Sequence, residues 1–581
     1  MISSLTQPTF EPKLEMNVVG DNARSGPSHF QGDRSQPLIE TTIGEALDDV
    51  ADRHRDRIAL VVRHQSVRWT YRDLAYHVDS LAAGLWRAGL RPGDRIGIWA
   101  PNCAEWTVTQ YAAAKLGLVL VNLNPAYQTA EIKYALTKVG CKALVFARSF
   151  KESHYLDMLR SLAPEIGQSF SGELRAAAMR LLICTAPERE EGITRFQDIR
   201  DDGRVALHDG FSEWPDKLDP SDPINIQFTS GTTGPPKAAT LSHRGLLNNA
   251  WFTGEICGTS HQDAICVPLP LFHIFGMLTG NLLAMLRGAK IVHPGDAFDA
   301  DSVLSAVEEE QCTSLYGVPT MFLSELASLD ARRRNLSSLR TGIIAGAVVP
   351  MELLRRVTSE MNMAGVVNGY GMTETSSAIM VTSPTDTPER RVSSVGRVVP
   401  HIEVKIVDSS GMTVQIGEAG EIHTRGYSTM LGYWDDPDTT AKVIDPEGWV
   451  RTGDIGVFDE HGYGRIVGRI KEMVIRGGEN ISCGEIEDFL LLHPAVENAQ
   501  VVGVPDDKYG EELCACIKLK PGANVNKDEL REFCRGKIAH LKIPRYVRFV
   551  NEFPLTASGK VQKFILARSS ARDLGLIGPD S

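Results

Sequence analysis

The segment Thr229-Ser-Gly-Thr-Thr-Gly-Pro-Pro-Lys237 constrains the fold of this chain more than any other feature. It follows an apolar run, Ile224–Phe228, that predicts a buried strand. Its four hydroxyls, two glycines and one lysine suit a polyphosphate, because turned backbone N–H groups, hydroxyls and an ammonium all interact with anionic oxygen. The sequence therefore predicts a phosphate loop at the end of a strand.

This loop differs from the common nucleotide motif GxxxxGK[ST]. Two prolines separate Gly234 from Lys237, and proline has no backbone N–H to donate. No helix N-terminus can therefore hold phosphate at this point, and we expect the loop to close over its ligand as a flap. The alternative is an exposed surface loop that is merely rich in glycine, serine and threonine.

The first third of the chain alternates strand and helix patterns. Thr70 and Asp73 form a helix N-cap pattern, and apolar residues follow it at helical spacing. A β-α-β-α-β order predicts a parallel sheet with helices packed outside it. The predicted elements are the strands Ile96–Trp99, Leu118–Val121 and Ala143–Phe146 and the helices Ala104–Leu116 and Thr129–Val139.

The last third has a different character. Short strands separated by glycine and aspartate turns are predicted at Val404–Val407, Gly420–Thr424 and Tyr463–Val467. After them, helix and strand patterns indicate a compact α+β module from residue 472 to the end. Its predicted elements are the helices Glu485–Leu492 and Lys527–His540 and the strands Ala499–Val504 and Leu513–Leu519.

Charge and cysteine content narrow the function classes. The formal net charge of −12 argues against a general nucleic-acid binder, which usually carries a basic face. Ten cysteines in 581 residues are too few for a disulfide scaffold, so we expect a reducing compartment. Cys514 and Cys516 are predicted to lie on one face of a strand as small hydrophobic residues rather than as metal ligands.

No segment predicts secretion or a membrane span. Residues 1–36 are expected to be a loose tail, and Glu11 and Glu15 are unsuited to a mitochondrial presequence, so we expect a cytoplasmic protein. The uncharged stretch Ala264–Leu286 is long enough to span a bilayer, but prolines and glycines interrupt it. We expect a buried strand, turn and helix there. Peripheral membrane contact and a homodimer stay open.

Four further segments follow Thr229–Lys237 along the chain, and their residues and order are informative together. They are Asn368-Gly-Tyr-Gly-Met-Thr-Glu374, Arg451-Thr-Gly-Asp454, Gly468-Arg-Ile-Lys-Glu472 and Pro554-Leu-Thr-Ala-Ser-Gly-Lys560. With them the chain resembles the acyl-adenylate-forming (AMP-binding) superfamily over about residues 40–570. It is most similar to the medium- and long-chain fatty-acyl-CoA synthetases.

The resemblance implies a two-lobed α/β fold. A large N-terminal lobe, residues 37–468, would contain two subdomains with parallel sheets flanked by helices plus a β-rich part. A hinge at 469–471 would lead to a small mobile α+β lid over residues 472–581. The implied reaction uses ATP, Mg²⁺ and CoA to convert a carboxylic acid, through an acyl-adenylate, into a thioester.

The resemblance also implies roles for particular residues. Lys560, His273, Glu374 and Lys237 would be catalytic, and Glu374 would be the magnesium ligand, since Mg²⁺ prefers carboxylate oxygen and takes few protein ligands. Asp454 would accept hydrogen bonds from the ribose hydroxyls. The nucleotide and CoA contacts would come from Thr229, Ser230, Gly231, Thr232, Thr233, Gly234, Lys237, Gly346, Ala347, Tyr370, Gly371, Thr373, Asp454, Arg469, Lys471, Gly477, Gly478 and Lys560.

One departure from the family pattern concerns Ala238, where relatives have glycine after the loop lysine. If that position needed a positive φ, alanine would cost roughly 1 kcal/mol. Alternative functions stay open as well. They are an adenylating enzyme that loads a carrier protein, an aryl-acid CoA ligase, and a catalytically silent nucleotide- or acyl-binding regulator.

Overall fold

The computed structural model describes residues 25–162, 179–215, 217–229, 235–476, 479–506, 508–535, 537–556 and 561–578, without the side chains of 471, 479 and 480. Within these residues the chain forms three sheets before residue 470 and a fourth sheet after it. Helices cover the two largest sheets. The predicted α/β class, with a large N-terminal lobe and a smaller C-terminal domain, is confirmed.

The first sheet contains the predicted parallel unit and the strand that leads into the predicted phosphate loop. Its central strands β4, β5 and β6 pair in parallel, as the β-α-β-α-β order predicts. Ala238 pairs with Phe228 inside this sheet, so no glycine conformation is required there. In spatial order the strands are β20 (Gly432–Tyr433), β10 (Lys237–Ser242), β9 (Pro223–Thr229), β5 (Val119–Asn122), β4 (Arg95–Trp99), β6 (Ala143–Phe146), β7 (Leu181–Cys184) and β8 (Thr194–Arg195).

The second sheet carries the segment predicted to contact the nucleotide. Its strands β2 and β11 to β15 pair in parallel, and antiparallel strands close both edges. In spatial order the strands are β17 (Arg397–Val398), β16 (Ser377–Val381), β15 (Gly365–Met372), β14 (Thr341–Ala345), β13 (Ser314–Gly317), β11 (Ala264–Cys266), β12 (Lys290–His293), β2 (Ile58–Val62) and β3 (Val67–Thr70).

Local sequence signals explain where the helices of this lobe begin. The second helix starts with a capping box, in which Thr70 and Asp73 each bond the other's backbone N–H, as predicted. Its apolar face is fully buried. The helices are α1 (Ile43–Arg53), α2 (Tyr71–Arg87), α3 (Ala104–Lys115), α4 (Thr129–Val139), α5 (Tyr155–Leu162), α6 (Phe196–His208), α7 (His243–Ile256), α8 (Leu283–Leu286), α9 (Ala300–Glu310), α10 (Pro319–Ala331), α11 (Met351–Glu360), α12 (Pro388–Ser393) and α13 (Pro437–Val443).

The third sheet is antiparallel and corrects one expectation about the N-terminus. Within the expected loose tail, β1 (His29–Gln31) pairs with β18. The reason is apolar contact, because the ring of Phe30 is buried 4.6 Å from that of Phe458. The remaining strands, in spatial order, are β18 (Ile402–Val407), β19 (Gly420–Gly426), β21 (Val450–Phe458) and β22 (Gly464–Arg469).

The C-terminal domain is the predicted α+β module, with one helix shorter than expected. The helix predicted over Lys527–His540 ends at Cys534, because Arg535 takes an extended conformation. The strands are β24 (Glu479–Ile481), β23 (Val474–Arg476), β26 (Gly510–Leu519), β25 (Val496–Asp506) and β27 (Tyr546–Phe549), and the helices are α14 (Cys483–Leu491), α15 (Lys527–Cys534) and α16 (Lys563–Asp573).

The uncharged stretch Ala264–Leu286 is a strand, a turn and a helix, as expected. It consists of β11, a turn, a π-helix over Phe275–Leu282 and α8. The π-helix is buried in the lobe throughout its length. No helix among the described residues is both long enough and apolar enough to cross a membrane.

All ten cysteines are buried free thiols in the described part of the chain. Cys514 and Cys516 lie together in an apolar cluster under α16, which confirms that they pack as small hydrophobic residues.

A buried acid in α10 makes the stability of the large lobe pH-dependent. The Glu325 side chain is 1% exposed, and neither of its carboxyl oxygens has a hydrogen-bond partner among the described residues. Burial raises the pKa of Glu325 from 4.5 to about 8. The folded protein therefore keeps this carboxyl protonated at neutral pH, whereas the unfolded chain ionises it.

Replacing Glu325 with glutamine is expected to raise thermal stability at pH 8 but much less at pH 5. Because the pKa of Glu325 is higher in the folded protein than in the unfolded chain, this residue favours folding fully below about pH 4.5. That contribution to the free energy of unfolding is lost as pH rises toward 8. The loss amounts to roughly 3–5 kcal/mol by linkage. Thermal midpoints of the wild type and the variant across this pH range test the effect. The matched control is Glu352→Gln, which changes an exposed residue. An equal difference in thermal midpoint between Glu325→Gln and the wild type at pH 5 and pH 8 would contradict the prediction.

Candidate active site

Three predicted residues lie close together beside Tyr433. Glu374 lies in a 3₁₀ turn after β15 and is 6% exposed. Its Oε1 accepts hydrogen bonds from the Tyr433 hydroxyl at 2.9 Å and the Thr229 hydroxyl at 3.3 Å. The Lys237 ammonium lies 5.0 Å from the centre of the Tyr433 ring. The end of β9, the start of β10 and the turn after β15 thus bring a carboxylate, a hydroxyl and a cation together.

Tyr433 is a member of this group that sequence reasoning missed. It belongs to the two-residue strand β20, which reaches the site by pairing with β10. Burial, followed by the charge of Glu374, raises the pKa of Tyr433 far above its ordinary value, so its hydroxyl remains a donor. Nothing local in the sequence marks this tyrosine, because only the pairing of two distant strands places it here.

The donor set at Glu374 fits a magnesium ion. Mg²⁺ is bound through one or two carboxylates together with substrate phosphates and water, and Glu374 and Thr229 supply a carboxylate and a hydroxyl within 3.3 Å of each other. Among the described residues, no group of three or more histidines, cysteines, aspartates or glutamates could hold a metal by itself. A carboxylate with a neighbouring hydroxyl suits an ion whose other ligands are polyphosphate oxygens and water.

A second polar group surrounds Asp454 in β21. The Asp454 carboxylate is 3% exposed and accepts the Tyr370 hydroxyl at 2.5 Å and the Arg469 Nε at 2.9 Å. Arg469 is its cross-strand partner in β22. Burial raises the pKa of Asp454, while the Arg469 charge and the Tyr370 hydrogen bond oppose that rise. This carboxylate is held rigidly and retains lone pairs for further donors.

Two glycines shape the backbone beside Tyr370. Gly346 follows β14 with a φ of +92°, a conformation that favours glycine. Ala345 pairs with Gly369, so the Gly346–Ala347 turn lies next to the end of β15. A side chain at Gly371 would place its Cβ 1.7 Å from the carbonyl oxygen of Ser377. Only glycine fits at 371, where the pairing of β15 with β16 shifts its register.

The segment predicted as the hinge, residues 469–471, overlaps a short 3₁₀ turn, Ile470–Glu472. Ion pairs of Lys563 with two glutamates connect this turn to the C-terminal domain. Lys563 at the start of α16 lies 2.7 Å from Glu487 and 3.6 Å from Glu472. Glu472 also lies 3.9 Å from Arg469, the partner of Asp454. Ion pairs therefore lead from β22 through the turn to α16.

His273 lies in the turn between β11 and the π-helix. Its Nδ1 accepts the backbone N–H of Phe275 at 3.2 Å. In the neutral imidazole the proton is then on Nε2, which makes that atom a donor. A π-helix begins two residues later, and this rare element is frequently found at functional sites.

Several predicted residues lie outside the described residues. They are Ser230, Gly231, Thr232, Thr233, Gly234, Gly477, Gly478, Lys560 and the side chain of Lys471. Of the remaining predicted residues, Thr229, Lys237 and Glu374 form one group and Tyr370, Asp454 and Arg469 another. Gly371 and Thr373 lie between Tyr370 and Glu374 along the chain and so join the two groups, whereas Gly346 and Ala347 follow the neighbouring strand β14.

Comparison with known proteins gives consistent matches along the chain. The family model described as AMP-binding enzyme matches residues 47–434, and that of the AMP-binding enzyme C-terminal domain matches residues 485–560. A mitochondrial medium-chain acyl-CoA ligase, ACSF2 of Danio rerio, is 42% identical over 554 residues, which cover 94% of this chain and 91% of the relative.

Two solved structures have the same fold. The anthranilate CoA ligase AuaEII in complex with anthranoyl-AMP matches with a TM-score of 0.81 and 27% identity, covering 93% of this chain and 99% of that one. ATP-bound MatB from Rhodopseudomonas palustris matches with a TM-score of 0.80 and 26% identity, covering 92% and 100%.

Proposed function

This chain belongs to the AMP-binding enzyme family, and from that premise we propose that it is a medium-chain fatty-acyl-CoA ligase. It is an acid–thiol ligase that forms AMP and uses ATP, Mg²⁺ and CoA. What we propose is the identity of the acid, the roles of the site residues and the domain boundaries. An acid with a saturated chain of intermediate length suits an enzyme that is 42% identical to a medium-chain ligase.

The chemistry proceeds in two steps. A carboxylate is a poor electrophile, because oxide would have to leave. Its oxygen attacks the α-phosphorus of ATP, the bond to the pyrophosphate oxygen breaks, and an acyl-adenylate forms. The sulfur of CoA then attacks the acyl carbon, AMP leaves with the electron pair of the broken C–O bond, and the thiol proton passes to solvent or base.

We propose that the nucleotide is divided between the two polar groups. We assign the triphosphate to Lys237 and the loop Thr229–Gly234, and the metal to Glu374. We assign the ribose hydroxyls to Asp454 and Arg469, and the base to Tyr370 with the Gly346–Ala347 backbone, while Gly371 and Thr373 lie between them. The observation that carries the proposal is the presence of two buried carboxylates, one with a hydroxyl and a lysine and the other with an arginine.

The remaining roles concern the acid and the second step. We assign His273 to the carboxylate end of the acid and Lys560 to the α-phosphate during adenylation. We propose that residues 472–581 rotate about the turn containing Lys471, which would bring Gly477 and Gly478 to the pantetheine arm. The large lobe would then comprise residues 37–468. The ion pair between Arg469 and Glu472 spans the turn and would break and re-form during that rotation.

We propose a cytoplasmic location, which is supported by the ten cysteines, all free thiols in the described residues. The relative from Danio rerio is named as mitochondrial. Expression of the full chain with a C-terminal tag, followed by cell fractionation, decides between the two compartments.

A panel of acids from acetate to oleate, together with benzoate, tests the proposed substrate. Each methylene that the pocket buries contributes roughly 0.8 kcal/mol, or about a fourfold gain in kcat/KM. We expect kcat/KM for thioester formation to rise with chain length to an optimum between hexanoate and dodecanoate and then to fall. An optimum at benzoate would indicate an aryl-acid ligase, and one at acetate would also contradict the proposal.

A further inference from the structure

Two buried asparagines hold the turn that presents His273. The first, Asn102, follows β4 and is 4% exposed. Its Nδ2 donates to the carbonyl oxygen of Leu269 at 2.9 Å, and its Oδ1 accepts the backbone N–H of Leu271 at 2.8 Å. One side chain therefore bonds both a donor and an acceptor of the same turn, which fixes the orientation of that turn relative to the sheet.

The second asparagine, Asn122, holds the turn one residue before the histidine. It is the last residue of β5 and is 2% exposed. Its Nδ2 donates to the carbonyl oxygen of Phe272 at 3.1 Å. Its Oδ1 accepts the Nδ2 of Asn225 at 2.9 Å, and the Oδ1 of Asn225 accepts the Nε2 of Gln227 at 3.0 Å.

This row of amides connects two parts of the site. Asn225 and Gln227 are on β9, the strand that ends at Thr229. The row crosses from β9 to β5 and then reaches the turn. Leaving a buried amide without a partner is costly, so the complete row of hydrogen bonds makes a stiff connection between β9 and the Leu269–His273 turn.

The other side of the turn is closed by backbone packing. A Cβ at Gly276 would lie 2.4 Å from the carbonyl oxygen of Pro270, so the first turn of the π-helix packs directly against residue 270. The backbone N–H of His273 also donates to that oxygen, at 3.2 Å. The turn is thus held between the asparagines and the π-helix, with little freedom to shift.

We propose that Asn102 and Asn122 are positioning residues for the acid substrate. They act through the Leu269–His273 turn, placing the imidazole relative to the phosphate strand so that the carboxylate is aligned for attack. The proposal rests on the proposed function, which assigns His273 to the carboxylate end of the acid. Neither asparagine is expected to touch substrate.

The test compares Asn102→Ala with a matched control in the same lobe. Asn248 is also fully buried and bonds the backbone N–H and carbonyl of Ile39 with the same two amide atoms, at 2.7 and 2.9 Å. We expect both variants to lose similar thermal stability. Only Asn102→Ala should lose about 10–100-fold in kcat/KM for the acid, with KM for ATP within about threefold of wild type, because misplacement of the turn affects only alignment.

Two further variants keep the proposal testable if Asn102→Ala does not fold. Asn122→Ala should show the same selective loss for the acid. Asn102→Asp retains the acceptor and regains the donor only when protonated, so its kcat/KM for the acid, relative to wild type, should improve as pH falls. Equal effects of Asn102→Ala and Asn248→Ala on acid kinetics, or an equal rise in KM for ATP, would overturn the proposal. A wild type that forms no thioester would instead refute the proposed function.

Discussion

Replacing Lys560 with alanine is expected to slow acyl-adenylate formation by a factor of about 100–1000, while thioester formation from supplied acyl-AMP stays within about threefold of wild type. The ammonium is assigned to the α-phosphate, where negative charge increases as the carboxylate attacks. Its loss removes an interaction that is stronger in the transition state than in the bound substrates, so kcat falls more than KM rises. Thioester formation, the second step, does not require a positive charge at the α-phosphate.

Hydrogen bonds and ion pairs hold the segments before and after this lysine in place. Leu555 and Val561 form a β-bridge, and Gln562 donates to the carbonyl oxygens of Pro554 and Leu555, both at 2.7 Å. Lys563 then anchors α16 through Glu487 and Glu472. These contacts are made by residues 554, 555 and 561–563, so we expect Lys560→Ala to change catalysis without detaching the segment.

The control for Lys560→Ala is Lys518→Ala, which removes a half-exposed partner of Glu497 from the same domain. Pyrophosphate release measured by rapid mixing reports the first half-reaction, and consumption of CoA with supplied acyl-AMP reports the second. If Lys560→Ala slowed both half-reactions equally, or if Lys518→Ala matched it, the assignment of Lys560 to adenylation would be wrong.

Glu374→Gln is expected to lower kcat for adenylation by about 100-fold and to raise the Mg²⁺ concentration needed for half-maximal rate. The amide keeps the size of the side chain and can still accept from Tyr433 and Thr229, so the local fold should persist. What it loses is the negative charge that binds the cation. Saturation with Mg²⁺ should therefore restore part of the rate, and the thermal midpoint should change little.

The exposed Glu352→Gln is the control for this change of charge. The measurement is the rate of acid-dependent pyrophosphate release as a function of Mg²⁺ at constant MgATP. An unchanged Mg²⁺ dependence in Glu374→Gln would exclude Glu374 as the metal ligand, even if the overall rate fell.

Helices and strands that are determined by neighbouring residues were predictable from the sequence. The helix Thr129–Val139 and the strand Ala143–Phe146 have the predicted bounds, because apolar spacing marks them and Gly140 ends the helix in a left-handed conformation. The helix predicted from Lys527 was too long, since its apolar pattern continues beyond the point where Arg535 becomes extended. The strand at His29–Gln31 was missed because its partner lies over 370 residues away.

The same distinction applies to the site. Glu374 and Asp454 could be proposed from the sequence because each lies in a recognisable local segment. Tyr433, Asn102 and Asn122 could not, since their contacts join segments that are more than 50 residues apart. An isolated asparagine after a strand is typical of many turns, and only its two bonds to the Leu269–Leu271 backbone distinguish Asn102.

The central claim is that one chain both activates an acid and transfers it to CoA. The most direct test incubates purified full-length protein with octanoate, ATP, Mg²⁺ and CoA, and measures pyrophosphate, AMP and acyl-CoA together. We predict that all three products form in equal amounts and that none forms without the acid. Pyrophosphate release without consumption of CoA would instead indicate an enzyme that loads a carrier protein. Binding of ATP without turnover of any acid would indicate a silent regulator.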